Sequence, residues 1–170
     1  MTTLRAGTAA EISRDTGAWV FVDIGFSSKS KTCGWLVGDG DPTTLMFGEL
    51  QKKLLHVVQS KGPVVNLVLE APLSVAFSHE GNPVGRSMER KNSAHRYWFE
   101  GSGPVTTVAA AYLLSAVRNT TCNCEIRSFE AFVSFKPKGT PSSHVEDVMN
   151  MRSVAWDAAK HAANIIAPEQ

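Results

Sequence analysis

An α/β domain on a five-stranded mixed sheet, three antiparallel strands followed by parallel ones and flanked by helices, is the fold class this sequence predicts. Three observations carry the prediction. Short runs rich in Val, Trp, Phe and Leu, bounded by Gly, Pro, Asn and Ser, have the length and composition of buried strands. The first three such runs follow one another across short polar turns, the pattern of an antiparallel meander. The later runs are separated by segments with apolar residues at helical spacing, as parallel strands with helical crossovers require.

The first strand is 18–26, Ala-Trp-Val-Phe-Val-Asp-Ile-Gly-Phe. A polar turn at 27–31 leads to a second strand at 32–38, closed by Gly38-Asp39-Gly40-Asp41-Pro42, and a third at 43–47. Residues 49–61 form a helix, because Leu50, Leu54, Leu55 and Val58 share one face, and Gly62-Pro63 ends it before the fourth strand at 64–70. The stretch 71–103 mixes Gly, Pro, Ser, His and basic residues. It is long for a loop inside a compact domain, so we read it as the substrate-facing segment, with a short helix near 87–99. A helix at 104–118 opens on Pro104 and carries Val108, Tyr112 and Ala116 at helical spacing. The fifth strand is 124–129. The last helix is long, 142–166, with Pro141 at its start and Ser143 and Glu146 at capping-box spacing.

The chain has 170 residues, 43% of them hydrophobic, and no apolar run near the roughly 20 residues of a membrane span. We expect one domain at 17–167, with no membrane partner. Residues 1–16 are small and polar, without the basic start and apolar stretch of a secretory signal, and predict a flexible leader on a cytoplasmic protein. A net charge of +1 argues against broad coating of nucleic acid and leaves only local contacts. The three cysteines are too few for a disulfide scaffold. Cys122-Asn123-Cys124 lacks zinc-site spacing, so these residues read as ordinary buried or strand-edge thiols.

Two carboxylates stand out. Asp23 sits inside an apolar strand and Glu70 ends another. A charge in such a place costs several kcal/mol, on the order of a lost ion pair, unless a cation, a proton or hydrogen bonds compensate it. The last helix offers Asp147 and Asp157, about 15 Å apart along the axis and roughly 80° around it, so one ion cannot take both. Asp157 shares a stripe with Glu146, Asn150, Ser153, Lys160, His161 and Asn164, a solvated face. Asp147 heads a stripe through Met151, Val154, Ala158 and Ala162 and should face the sheet from the first turn, where the helix dipole favours an anion.

Three antiparallel strands, helix, strand, helix, strand and final helix resembles the ribonuclease H-like fold. In that superfamily an acid on the first strand, one ending the fourth and one near the start of the last helix converge on divalent metal, and Asp23, Glu70 and Asp147 occupy those places. The chain is most similar to predicted nucleases of this fold related to the RuvC-type resolvases. The residues carrying that likeness are Glu70-Ala71-Pro72-Leu73, the basic segment 86–96 and Ile126-Arg127-Ser128-Phe129-Glu130. Glu replaces the commoner Asp on the fourth strand, and Glu146-Asp147 is the only acidic pair opening the last helix.

The resemblance implies a metal-dependent nuclease that hydrolyses phosphodiester bonds of DNA or RNA with Mg²⁺ or Mn²⁺ held by Asp23, Glu70 and Asp147, and it is compatible with a homodimer. Glu130 reads either as a fourth acid or as a partner for loop backbone. His144, one turn before Asp147, reads as a proton relay or as a capping residue. Arg86, Arg90, Lys91 and Arg96 read as phosphate contacts, with His95, Tyr97, Trp98 and Phe99 nearby for stacking, or as a solvated face. Two other functions fit the same fold. One is a non-catalytic binding or assembly module. The other is a nucleotide-binding half of the actin-like kinase and ATPase type, whose first phosphate loop Asp23-Ile24-Gly25-Phe26-Ser27-Ser28-Lys29 resembles.

Overall fold

The computed structural model describes residues 2–27, 29–133 and 143–157, and the backbone of 165–166. Its centre is one mixed sheet. Strands β1 (Thr3–Ala6), β2 (Ala18–Asp23), β3 (Cys33–Val37), β4 (Thr43–Leu45) and β5 (Val64–Glu70) are joined in it by β10 (Glu125–Ala131), and the two-residue β11 (Ile165–Ile166) pairs with the end of β10. The spatial order is β1-β10-β5-β2-β3-β4. The first four of these run parallel, and β2, β3 and β4 form the antiparallel meander. Two small hairpins, β6 (Ala76–Phe77) with β7 (Pro83–Val84) and β8 (Arg90–Lys91) with β9 (Ala94–His95), lie outside the sheet.

Among the described residues, three α-helices cover the sheet. Helix α1 (Phe47–Ser60) buries Leu50, Leu54, Val57 and Val58, and α2 (Gly103–Arg118) buries Ala109, Ala110, Leu113 and Val117. Both pack on one face, where Val20, Val22, Val65, Leu67 and Leu69 point. Helix α3 (His144–Trp156) covers the other face, packing Val148, Met151 and Val154 on Trp19, Phe21, Val68 and Phe129. The alternation is strict because successive strand side chains leave on opposite sides. At the far end of α3, Trp156 meets Phe21 edge-on and carries the guanidinium of Arg14 at 4.9 Å and that of Arg152 at 5.5 Å.

Several expectations change. The sheet has six principal strands instead of five, because residues 3–6, expected in a flexible leader, pair parallel with β10 in register from Thr3 against Glu125 to Ala6 against Ser128. The last helix stops at Trp156, so the expected run to 166 is too long. Asp157 takes an extended conformation at the helix end, and Ile165–Ile166 form a strand that pairs with Glu130 and Ala131. In α2 the stripe of Val108 and Tyr112 faces solvent, and the adjacent alanine-rich face is inside. The expected helix at 87–99 is a single 3-10 turn, Ser87–Glu89, followed by the β8–β9 hairpin. Cys122 and Cys124, read as separate thiols, are joined by a disulfide, the turn at Asn123 bringing their Cα atoms to 5.5 Å. Cys33 is a buried free thiol. No helix among the described residues is long and apolar enough to cross a membrane.

The edge strand is held by charge as well as by its ladder. Arg5 bridges Glu11 and Glu125, and Arg127 bridges the same two acids from the neighbouring strand. The hydrogen bond from Arg5 is the main reason that the Glu11 carboxyl falls from its ordinary 4.5 to about 2. A depressed carboxylate stabilises the fold above its unfolded pKa, and that contribution disappears as pH falls through the folded value. Relative to the intrinsic rate, amide exchange at Thr3 and Gly7, which donate to the Cys124 and Ser128 carbonyls, should therefore quicken between about pH 4.5 and 2 in the wild type, as the Glu11 pKa requires. In Glu11→Gln it should already be fast at neutral pH. Protection indifferent to pH in that window would show that the charges do not hold the strand.

Candidate metal centre

Asp23 is the last residue of β2 and Glu70 the last of β5, and the two are register partners on adjacent parallel strands. Both acids therefore emerge at the carboxyl edge of the sheet, where open α/β sheets bind ligands. Strand parity decides the face. Trp19 and Phe21 point toward α3, so Asp23 does too, and Val68 directs Glu70 the same way.

Asp147 reaches them from α3. The Ser143 hydroxyl caps this helix by accepting from the Glu146 amide, which puts Asp147 in the first turn beside the sheet. The close approach depends on Gly34, the register partner of Asp23. A β-carbon there would lie inside contact distance of the His144 carbonyl and of Val148, so only glycine lets the helix settle so low. One oxygen from each of Asp23, Glu70 and Asp147 lies within 4.8 Å of the others. Asp23 is 6% exposed and Asp147 7%.

This cluster strains its own ionisation. Burial pushes the Asp23 carboxyl above its usual range and the charge of Asp147 adds to the shift, while hydrogen bonds to His144 and Glu70 pull against it. The His144 Nδ1 lies 2.5 Å from Asp23 Oδ2, with the imidazole partly open to solvent. His144 therefore sits on Asp23, neither capping the helix nor packing into the core.

The acids form one wall of a cavity of about 670 Å³. The same cavity is lined by His95, Arg96, Tyr97 and Trp98 and by the start of α2 around Ser102 and Gly103. Of the four basic residues expected at phosphates, Arg96 lines this cavity, while Arg90 and Lys91 are exposed on the β8–β9 hairpin beside it. The Arg90 guanidinium bonds the Tyr97 hydroxyl at 2.6 Å.

Arg86 does not reach the cavity. It is buried, bidentate to Glu130 and paired with Glu89, and its Nη1 also donates to the Ser74 hydroxyl. Burial opposes its charge, yet the bonds to Glu130 and Glu89 prevail and hold its pKa above the ordinary value. Glu130 is correspondingly no fourth acid. It stands on the α1–α2 side by strand parity with Ile126, opposite to the face of Asp23 and Glu70. Its carboxylate accepts from the Leu73 and Ser74 amides, the loop-backbone role that was the other reading of this residue.

Sequence reasoning missed Glu89, which is fully buried and also accepts the Trp98 amide, so that it fixes the wall of the cavity. Its signal was the spacing Arg86-x-x-Glu89, an opposite-charge pair one turn apart. Asp157, taken as a surface residue, caps α3 at the end away from Asp147. Its expected partners Lys160 and His161 lie outside the described residues. In the loop 24–31, the Ser27 hydroxyl accepts from the Lys29 and Ser30 amides and is used by its own turn. No protein-family model matches the chain, and no curated protein matches it significantly.

Proposed function

We propose that this chain is a metal-dependent nuclease of the ribonuclease H-like type, hydrolysing phosphodiester bonds of nucleic acid at Asp23, Glu70 and Asp147. One observation carries the reading: three carboxylates from two neighbouring strand ends and a helix first turn meet in a cavity whose lining also bears an arginine and aromatic rings. The order of meander, helix, parallel strand, helix, parallel strand and helix supports it. The added edge strand β1 and the short α3 are departures from the pattern expected.

The donor set suits the metal. Three carboxylate oxygens within 4.8 Å, with no sulfur or nitrogen in the group, match the preference of hard cations such as Mg²⁺ or Mn²⁺. When bound, such an ion neutralises phosphate charge and lowers the pKa of an attacking water. The protein's own groups supply the rest. Asp23, Glu70 and Asp147 fix the position, and the apolar sheet beneath them limits how far they can relax. His144 orients Asp23 through Nδ1 and leaves its other ring nitrogen to take up or return a proton. Arg96 offers a guanidinium to phosphate oxygens across the cavity, and Arg90 and Lys91 extend the positive rim.

The test is cleavage of labelled DNA and RNA in Mn²⁺ or Mg²⁺, with EDTA as control, by the wild type and Asp23→Asn. We expect cleavage only with metal, and a loss of at least about 100-fold in the variant, since even the outer partners of metal ligands are worth 10- to 100-fold. A folded wild type that cuts no substrate in Mn²⁺ would leave the non-catalytic module as the better account.

A further inference from the structure

We infer that the cavity receives an unpaired nucleotide, so that the substrate is a single-stranded segment of DNA or RNA and not the interior of a duplex. The inference rests on the nuclease reading and concerns the aromatic part of the lining that the cavity shares with the acids. There His95, Tyr97 and Phe99 form a column of rings. His95 stacks on Tyr97 with centroids 4.7 Å apart and planes at 19°, and Tyr97 stacks on Phe99 at 5.4 Å and 22°.

The column is built to be rigid. Tyr97 packs so closely on Gly85 that a β-carbon at 85 would overlap its ring. Its hydroxyl is held by Arg90, and the neighbouring Trp98 is pinned through its amide to Glu89 and through its indole N–H to the Val84 carbonyl. His95 ends the column. Its side chain is 51% exposed, it lines the cavity, and its Nε2 lies 3.3 Å from the Glu100 carboxylate, which sets the plane of the ring. Among the described ring contacts it stacks on Tyr97 alone, so a base can continue the column on its outer face.

Only some bases can do so. Inside a duplex both faces of a base are covered by its neighbours, whereas an unpaired base has a face to give to a protein ring. A volume of about 670 Å³ falls within the roughly 300–1,000 Å³ of small-ligand sites, room for a nucleotide and not for a helix. Arg96, adjacent to His95, uses one guanidinium nitrogen on the His95 carbonyl and keeps its other donors for a phosphate. A base on His95 and its phosphate near Asp23, Glu70 and Asp147 thus occupy the same cavity.

The test compares binding of labelled single-stranded DNA, single-stranded RNA and matched duplexes by fluorescence anisotropy, in Ca²⁺ to slow turnover. Single strands should bind at least about 10-fold more tightly than duplex. His95→Ala should weaken single-strand binding about 5- to 100-fold, the worth of one base on one ring, while His95→Phe retains it. Preference for one sugar identifies which strand is used. Duplex bound as tightly as single strand, or His95→Ala binding like the wild type, overturns the inference. Cleavage of the same oligonucleotides in Mn²⁺ separates the two readings. Duplex cut as fast as single strand would sink the inference and leave the nuclease standing, and single strand bound through His95 but never cut would do the reverse.

Discussion

Arg86→Met should destabilise the folded chain by about 3–5 kcal/mol, the usual cost of removing one partner from a buried ion pair. The side chain of Arg86 is 3% exposed and those of Glu89 and Glu130 are fully buried. Without the guanidinium, two carboxylates are left in the interior with backbone amides as their main remaining partners. Typical domains are stable by only about 5–15 kcal/mol, so the loss would be a large share of the total. At about 2–4 °C per kcal/mol the melting temperature falls by roughly 6–20 °C. Urea unfolding of Arg86→Met beside Arg90→Met and Arg96→Met makes the comparison, because the last two are exposed and should stay within about 0.5 kcal/mol of wild type. If all three variants behaved alike, the buried cluster would carry no stability. Replacing the three charged groups together by apolar residues should recover part of the loss, since the desolvation cost disappears with the charges.

That prediction also marks where the sequence was silent. Strand existence and the first two acids were legible because an isolated carboxylate at the end of an apolar run is costly and therefore conspicuous. The choice of Asp147 over Asp157 was legible from helical phase, and Asp147, Met151 and Val154 are indeed buried on one face. Arg86 and Glu130 were not legible, because burial is a property of tertiary contacts. A basic residue in a Gly- and Pro-rich stretch looks solvated whether or not two acids enclose it. Parity could have disqualified Glu130, since Ile126 and Phe129 must lie on opposite faces, but only once it is known which face holds α3. The edge strand β1 escaped for a different reason. Thr3-Leu4-Arg5-Ala6 has no strong strand propensity of its own, and its place depends on the ladder to β10 and on the charges of Glu11, Glu125 and Arg127. In α2 the alanine-rich sequence offers two similar faces, and the sheet selects the smaller side chains for close approach.

Mn²⁺ should raise the melting temperature of the wild type by about 5–10 °C at 100 times its dissociation constant, from a linkage energy of about 2.7 kcal/mol and about 2–4 °C per kcal/mol. The ion also relieves a cost that the cluster carries on its own. Burial and the charge of Asp147 hold the Asp23 pKa above its ordinary 3.8, so in the metal-free protein this group keeps its proton to higher pH than a free carboxyl does. Its ionisation therefore costs stability progressively as pH rises from 3.8 through the folded value, and a cation among the three acids removes that cost. Calorimetry on Asp23→Asn, Glu70→Gln and Asp147→Asn should show affinity for Mn²⁺ reduced at least about 100-fold, a loss no smaller than that of an outer-shell partner. Asp157→Asn should bind as the wild type does, because its Cα lies about 15 Å along the helix from that of Asp147. Glu130→Gln should also bind normally at a temperature where it remains folded, because its carboxylate faces the other side of the sheet. The pattern across the five variants is the decisive reading. Equal losses in Asp147→Asn and Asp157→Asn would mean that binding is diffuse attraction to negative charge, and no shift in the folded wild type would mean that the three acids hold no ion.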